Sequence, residues 1–196
     1  ILSSLVGSEM CIRDRLTNGQ GAYGNLEFAY DSVGNRTSKT IDAVPETYLY
    51  IDNQLTSVGG TTLAYDAAGN LISKGTDTFA YNKANRLSTA TVAGIGYHYR
   101  YDHNGQRVVK DTNGQVRFYH YDANGLLLAE TDQHGNSLVE YVYLNGQRLA
   151  IRFGQSTYYV HTNHVDAPLA ISAQDGSVVW QAYYTPFGEI NVTLDN

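Results

Sequence analysis

Apolar and polar residues alternate along most of the chain with a period of two. In the segment 97–101, three tyrosines fall on one face while His98 and Arg100 fall on the other, and the segment 139–143 alternates in the same way. A period of two is the spacing of side chains on one face of a β-strand. No window of helical length shows apolar residues at a period of 3.6 residues. The pattern therefore predicts an all-β protein.

Turn signals separate the alternating segments, and these signals form a repeat. The motif Tyr-Asp-x-x-Gly begins at Tyr30, Tyr65, Tyr101 and Tyr121, and a degenerate copy begins at Tyr81. The Asp-x-x-Gly part also occurs without the tyrosine at 111–114 and 132–135. The predicted turn positions of the repeat are Asp31, Gly34, Asp66, Gly69, Asn85, Asp102, Gly105, Asp122 and Gly125.

Each residue type in the motif has a physical reason. An aspartate at the first position of a type I turn accepts hydrogen bonds from the backbone amides that follow it. A glycine three residues later takes the left-handed conformation, which forms the bulge that fits a type I turn to twisted strands. Asparagine tolerates this conformation well, so we expect Asn85 to replace the glycine and Asn53 to play the same part. Asn145 and Gly146 predict a shorter, two-residue turn.

The spacing of the left-handed positions predicts the architecture. Positions 105, 114, 125, 135 and 146 are separated by 9, 11, 10 and 11 residues, which is the length of one strand with its turn. Positions 34, 53, 69, 85 and 105 are separated by 19, 16, 16 and 20 residues, which is close to a whole hairpin. We expect an antiparallel meander of β-hairpins.

Composition narrows the class of protein. The 196 residues include 17 Tyr and 19 Gly but only 3 Pro. Frequent Gly with little Pro suits tight turns between hydrogen-bonded strands. Frequent Tyr suits sheets that are only partly shielded from water. The net charge of −6 favours neither nucleic acid nor an anionic membrane surface as a partner. No stretch approaches the ~20 apolar residues of a membrane-spanning helix. Because Cys11 is the only cysteine, the sequence excludes an internal disulfide.

The first fifteen residues do not share this pattern. The segment 1–15 contains the only Met and the only Cys, and it carries no turn signal. It also lacks the basic and apolar regions of a secretory signal. The run from Ser3 to Arg15 resembles translated adapter sequence that contaminates some assembled environmental reads, and the alternative is a genuine linker. We expect 1–15 to be a non-native or irregular N-terminal segment.

The repeats resemble those of the Rhs/YD-repeat family, and three blocks near the C-terminus strengthen the resemblance. The segment 158–168 resembles the opening of the Rhs repeat-associated core, and 175–180 and 186–189 follow in the order of that core. The resemblance covers roughly residues 16–190, although Asn163 and Asp166 depart from residues that the family often has there. The core-motif residues are His161, His164, Pro168, Trp180, Pro186, Phe187 and Gly188.

The resemblance implies a long β-sheet that spirals into a hollow shell. In bacterial members the shell encloses a C-terminal toxin, and the proteins act in contact-dependent competition through secretion systems or the cell wall. Related shells occur in insecticidal toxin complexes and in teneurins. The implied domains are a YD-repeat sheet over 16–157 and the start of an incomplete Rhs repeat-associated core over 158–196. The implied location is secreted or at the cell surface.

The family also implies which parts to seek beyond this sequence. Members often release the toxin by self-cleavage, using aspartates at an Asp-Pro motif downstream of the core. This sequence contains no Asp-Pro dipeptide and ends at Asn196, soon after the Pro-Phe-Gly block. We therefore expect a structural fragment whose partner is the toxin domain of the same protein, with secretion-system or cell-wall components as further partners.

Candidate chemistry in the sequence is sparse. His161, His164 and Asp166 could hold a metal only if a loop brought them together, because histidines three apart on a strand face opposite sides. The Asp-x-Asn-Gly stretches lack the further oxygen ligands of a calcium loop. No phosphate-binding loop and no supported nucleophile with a base is present. We expect neither a cofactor, nor a metal, nor an enzymatic activity.

The tyrosine rows leave a second interpretation open. Aromatic faces stack on sugars and contact proteins, so the chain could be an adhesin-like YD-repeat module that binds glycans or cell-surface proteins. The structural alternative is that the tyrosine rings fill space on the sheet of a large hollow shell while their hydroxyls contact water. We favour the shell.

Overall fold

A computed structural model describes residues 15–195, and in this part of the chain it contains nineteen strands and no helix. The strands are β1 (Asn18–Gly21), β2 (Gly24–Tyr30), β3 (Arg36–Ile41), β4 (Val44–Ile51), β5 (Gln54–Val58), β6 (Thr61–Tyr65), β7 (Leu71–Lys74), β8 (Asp77–Tyr81), β9 (Leu87–Val92), β10 (Ile95–Tyr101), β11 (Arg107–Thr112), β12 (Gln115–Tyr121), β13 (Leu127–Asp132), β14 (Ser137–Leu144), β15 (Gln147–Phe153), β16 (Ser156–Thr162), β17 (Pro168–Ser172), β18 (Val178–Tyr184) and β19 (Ile190–Asp195).

Each strand pairs antiparallel with the strand that follows it in the chain. The pairing runs without interruption from β1–β2 through β10–β11 to β18–β19. The predicted all-β fold, an antiparallel meander of YD-repeat hairpins, is confirmed. The expectation of a non-native or irregular segment at 1–15 falls almost wholly outside the described residues, which begin at Arg15.

The sheet has two unlike faces. One face, which we call the tyrosine face, carries Tyr97, Tyr99 and Tyr101 of β10, and all three side chains are half-buried. Elsewhere in the sheet this face includes Tyr48 of β4 and Tyr119 of β12, which are only 7% and 8% exposed. The opposite face is solvated. The alternation of apolar and polar residues therefore places the tyrosines on one face and the solvent-facing residues on the other, but few of the tyrosines are fully buried.

The sheet also has two unlike edges, because successive turns of a meander fall at alternate ends of the strands. One edge, the YD edge, holds the turns at 31–35, 52–53, 66–70, 82–86, 102–106, 122–126, 145–146, 163–167 and 185–189. The other edge, the hairpin edge, holds those at 22–23, 42–43, 59–60, 75–76, 93–94, 113–114, 132–136, 154–155 and 173–177. All the turns that follow a Tyr-Asp or Tyr-Asn pair lie on the YD edge.

Two turns differ from the expectation. The segment 111–114 does not form the bulged turn of the repeat: Asp111 lies within β11, and Asn113 and Gly114 form a two-residue turn with φ of 49° and 88°. Asn53 is left-handed, but it shares a two-residue turn with Asp52, whose φ is also positive. In both places the left-handed residue belongs to a two-residue hairpin turn of a primed type. At 111–114 the Asp-x-x-Gly spacing is compatible with this turn as well as with the bulged one.

Candidate functional site

The bulged turn of the YD edge has one repeated geometry, which Asp66 illustrates. The Asp66 amide donates to the Asn70 carbonyl at 2.9 Å, and the Gly69 amide donates to the Asp66 carbonyl at 3.0 Å. One carboxylate oxygen of Asp66 accepts from the amides of Ala68 and Asn70 at 2.9 and 2.8 Å. On the same edge, this pair of backbone hydrogen bonds closes the turns that begin at Asp31, Asn82, Asp102, Asp122, Asn163 and Thr185. It also closes two turns of the hairpin edge, which begin at Asp132 and Ala173.

The fourth residue of each of these turns is left-handed. It is glycine in most copies, for example Gly69 at φ 83° and Gly105 at φ 86°, but it is Asn85 at φ 54° and Asp166 at φ 58° in two others. The hydrogen bonds also act on the acid. The side-chain hydrogen bond from Asn70, with those from the backbone, holds the pKa of Asp66 below its ordinary value.

Consecutive turns touch along the YD edge. The Asn70 side-chain amide donates to the Asn85 side-chain oxygen of the next turn at 3.2 Å, and the Gln106 side chain donates to the Gly125 carbonyl at 3.2 Å. The guanidinium of Arg86 occupies the place that a Cβ at Gly105 would take. The positive φ favours glycine at 105, and a larger side chain there would also have to displace the Arg86 guanidinium.

The tyrosine of the motif joins successive repeats. The Tyr101 hydroxyl donates to the Leu87 carbonyl at 2.8 Å, and Leu87 directly follows the preceding turn of the YD edge. Equivalent bonds run from Tyr30 to Leu16, Tyr50 to Arg36, Tyr81 to Leu71, Tyr121 to Arg107, Tyr143 to Leu127 and Tyr184 to Pro168. The sequence shows that the tyrosine recurs at the same position of the repeat, but it does not show that its hydroxyl bonds to a backbone carbonyl of the preceding repeat.

Cations lie over the rings of the tyrosine face. The Arg107 guanidinium lies 4.7 Å from the Tyr119 ring centroid, and the Lys110 ammonium lies 5.2 Å from that of Tyr97. Glu130, only 7% exposed, accepts hydrogen bonds from the Tyr141 hydroxyl and the Arg117 guanidinium, both at 2.6 Å. Burial and the bond to Glu130 raise the pKa of the Tyr141 hydroxyl. The face is polar and aromatic rather than a dry core.

The last bulged turn meets the first strands through a contact that we call the seam, formed by Phe28, Arg36 and Lys39 with Phe187 and Glu189. The Phe28 and Phe187 rings pack edge to face at 4.9 Å, and the Arg36 guanidinium lies 5.1 Å from the Phe187 centroid. The Lys39 ammonium, in a residue only 8% exposed, contacts both carboxylate oxygens of Glu189 at 2.6 and 2.5 Å.

The seam shows the direction in which the sheet curls. Phe28 and Lys39 are cross-strand partners, and Arg36 also lies 4.4 Å from the Tyr48 ring centroid, so this surface of β2–β4 belongs to the tyrosine face. The strands pair only with their neighbours in the chain, yet the turn 185–189 reaches that surface. The sheet must therefore bend back towards its tyrosine face.

The other core-motif residues lie apart from one another. The His161 ring bonds to the Ser172 hydroxyl at 2.8 Å, while His164 lies in the turn 163–167. Pro168 begins β17, and Trp180 in β18 faces Ile171 across the strand pair. Between residues 15 and 195, no three side chains of the metal-ligating types come together in a way that could hold an ion. The same part of the chain has no helix of the length and apolarity that a membrane crossing needs.

These features together define a class: a tyrosine-aspartate repeat sheet that curls on itself, as in the wall of a shell. The family model that matches the chain is the teneurin YD-shell, over residues 12–193. The chain belongs to this family, and the expected membership of the Rhs/YD-repeat group is confirmed. It is an Rhs-type shell section.

Relatives come from both bacteria and animals. The tRNA nuclease WapA of Bacillus subtilis is 33% identical over 177 residues, and human Teneurin-1 is 30% identical over 175 residues. Each alignment covers 83% of this chain but only 7% and 6% of those proteins, so the chain spans less than a tenth of their length. The solved Photorhabdus luminescens Tc holotoxin pore matches 85% of this chain and 13% of its own, at 17% identity and a TM-score of 0.42.

Proposed function

We propose that the chain is a section of the wall of a secreted or cell-surface shell that encloses and delivers a toxin domain of the same protein. The observation that carries this proposal is the seam, because it fixes the tyrosine face on the concave side of the sheet. The described residues that face this side, among them Tyr97 and Tyr99, are half-buried and polar at their tips. Such a surface contacts polypeptide without needing a dry, complementary core.

The wall itself has a structural role in this proposal, not an enzymatic one. The printed name of WapA describes a nuclease, and this chain covers only a small part of that protein. We infer that any such activity lies in a domain outside 16–195 and that this domain is the partner of the wall. Secretion-system or cell-wall components are further proposed partners. The division at 157/158 remains a proposal as well, and β16 runs across it.

A photocrosslinking experiment on the full-length protein tests this function. A benzophenone amino acid replaces Tyr97 on the tyrosine face, or Val142 on the opposite face as the control, which is 38% exposed. We expect the group at 97 to crosslink to peptides of a C-terminal domain of the same chain, and the group at 142 to give none. Crosslinks from both positions in equal yield, or from neither, would speak against an enclosed partner.

A further inference from the structure

Positive charge collects on the tyrosine face of strands β11 to β15. Four cations there lie over a tyrosine ring of this face or bond to Glu130, and we call them the basic cluster: Arg107, Lys110, Arg117 and Arg148. Among the described residues, Glu130 is the carboxylate that bonds to the cluster. Four cations against one carboxylate is the reverse of the balance of the whole chain, whose net charge is −6.

The register of the sheet opposes two of these cations to each other. Lys110 and Arg117 are cross-strand partners in the β11–β12 pair. Like charges directly opposite each other on one face destabilise a sheet. The nearby acid does little for Lys110, because Glu130 already accepts hydrogen bonds from the Arg117 guanidinium and the Tyr141 hydroxyl, both at 2.6 Å. An anion bound beside Lys110 would relieve this repulsion.

The other two cations of the cluster have no carboxylate partner. Neither Arg107 nor Arg148 takes part in the three ion pairs among residues 15–195. The Arg107 guanidinium lies 5.6 and 4.7 Å from the ring centroids of Tyr99 and Tyr119, contacts that hold the cation but leave its charge uncompensated. The Nε atom of Arg148 is buried and has no acceptor in the described part of the chain. A buried charged donor without an acceptor is costly and calls for an explanation.

The remaining acids of these strands are engaged elsewhere. The Asp111 carboxylate accepts from the Gly114 amide at 2.7 Å, and Asp132 accepts from amides of its own turn, both on the hairpin edge. Glu140 alternates with Tyr141 along β14, so it lies on the opposite face, where it pairs with Arg152. On these strands, negative charge is therefore held at the hairpin edge and on the opposite face, away from the basic cluster.

We propose that the basic cluster binds an acidic segment of the enclosed polypeptide, whose carboxylates bond to Lys110, Arg107 and Arg148 while its chain lies against the tyrosine rings. Hydrogen bonds between a cation and a carboxylate are about twice as strong as neutral ones. They strengthen further where water is excluded, as on the concave side of the sheet. The proposal rests on the proposed function, because it states the chemistry of the partner that the wall encloses.

Carbodiimide crosslinking of the full-length protein tests this proposal, since the reagent joins a lysine to a carboxylate only where the two are in contact. We expect Lys110 to couple to aspartates or glutamates of a segment outside residues 16–195. Lys83, an exposed lysine in a turn of the YD edge, should give no such product. Mass spectrometry of the digested protein identifies the coupled peptides.

Two arginine variants show whether the contact depends on the charge of the tyrosine face. Arg107→Gln removes a cation of the cluster and should lower the yield at Lys110 about threefold. Arg100→Gln is the matched control, because it removes a cation from the opposite face of the neighbouring strand and should leave the yield unchanged. The result at Lys110 in the wild type does not depend on either variant.

Photocrosslinking from position 97 separates this proposal from the proposed function. If the group at 97 reaches a C-terminal domain but Lys110 couples to no carboxylate outside 16–195, the enclosing shell stands and the acidic segment is refuted. If neither position crosslinks to such a domain, both proposals fail. Equal yields at Lys110 in the Arg107→Gln and Arg100→Gln variants would also overturn the proposal. Nucleic acid that copurifies with the wild type and is lost from Lys110→Glu would do the same, because the bound anion would then be a phosphate.

Discussion

The YD edge and the hairpin edge of the sheet both reverse the chain between strands, but they do so with different turns. Seven turns of the YD edge are bulged and carry an Asp, Asn or Thr at the first position, and neighbouring turns bond to one another through side chains. The hairpin edge uses mostly two-residue turns, such as Ala93-Gly94 and Asn113-Gly114, with positive φ at both residues. A two-residue turn also reaches the preceding hairpin, as where the side chains of Asp42 and Asn113 accept from the strand amides of Asn25 and Gly96 at 2.9 and 3.3 Å. Bulged turns instead bond directly to the next turn. The YD edge therefore links the hairpins turn to turn, and the hairpin edge links them turn to strand.

The largest difference between the edges is expected from Gly105→Val. The positive φ of 86° strains a β-branched side chain there, and the Arg86 guanidinium would have to leave its contact with the neighbouring turn. The matched change on the hairpin edge is Gly114→Val, where φ is 88° but no atom lies within 4 Å of the Cβ position. We expect local destabilisation of about 2–3 kcal/mol at 105 and about 1–2 kcal/mol at 114. Native-state hydrogen exchange of the flanking strands measures both. Equal losses at the two sites would show that contact between turns adds nothing.

The next effect concerns the last turn of the YD edge, which forms the seam. Glu189→Gln leaves the Lys39 ammonium buried without its carboxylate, and we expect a loss of about 1–2 kcal/mol, discounted because the Glu189 side chain is 57% exposed. Faster exchange should appear at both 185–189 and β2–β4. The control is Glu140→Gln, which breaks a pair with Arg152 between strands that already share backbone bonds. It should cost less than about 0.5 kcal/mol. A uniform rise in exchange over all strands would refute a local seam.

A smaller effect is expected from the tyrosine hydroxyls. Tyr121→Phe removes the bond to the Arg107 carbonyl at 3.0 Å and should cost about 1 kcal/mol. Tyr65→Phe is the matched control, because the turn before it is the two-residue turn at 52–53, and among the described residues its hydroxyl has no such acceptor. The comparison uses hydrogen exchange in the strands that flank each tyrosine. If the two variants lose equal stability, the hydroxyl bonds do not join the repeats.

The smallest expected effect is a pH dependence of local stability, which only turns that begin with an aspartate should show. The pKa of Asp66 is lowered from 3.8 by its hydrogen bonds, so its contribution is complete above that pH and is lost as the pH falls through the lowered value. The turn at Asn82 provides the control, because its amide oxygen accepts from Ala84 and Arg86 at 2.9 and 3.1 Å but does not titrate there. Below pH 4, exchange at the Ala68 amide should accelerate relative to the Ala84 amide. Identical pH profiles would contradict the role of the carboxylate.

Much of the fold could be predicted from the sequence, because turn chemistry and alternation are local. The bulged turns at Asp31 and Asp102, the left-handed Asn85 and the strand count between turns all follow from short-range rules. The assignment of 111–114 was wrong because the same spacing also fits a two-residue turn that takes its last two residues. Local spacing does not determine which pair of residues closes the hairpin.

The seam and the tyrosine ladder could not be predicted. Lys39 and Glu189 are 150 residues apart in the chain, and their contact depends on a curvature that adds up over many strands. The Tyr101 hydroxyl donates to a backbone carbonyl 14 residues earlier. Every residue type has a backbone carbonyl, so the sequence does not mark which one is the acceptor.

The most direct test of the central claim is a cryo-electron microscopy map of the full-length protein at side-chain resolution. If the chain is a wall that curls towards its tyrosine face, the turn 185–189 will lie on β2–β4, with the Phe28 and Phe187 rings in contact. The rings of Tyr97 and Tyr99 will then face an enclosed volume that contains polypeptide density. A flat sheet with solvent on both faces, or a curl that places Tyr97 and Tyr99 on the outside, would contradict the account.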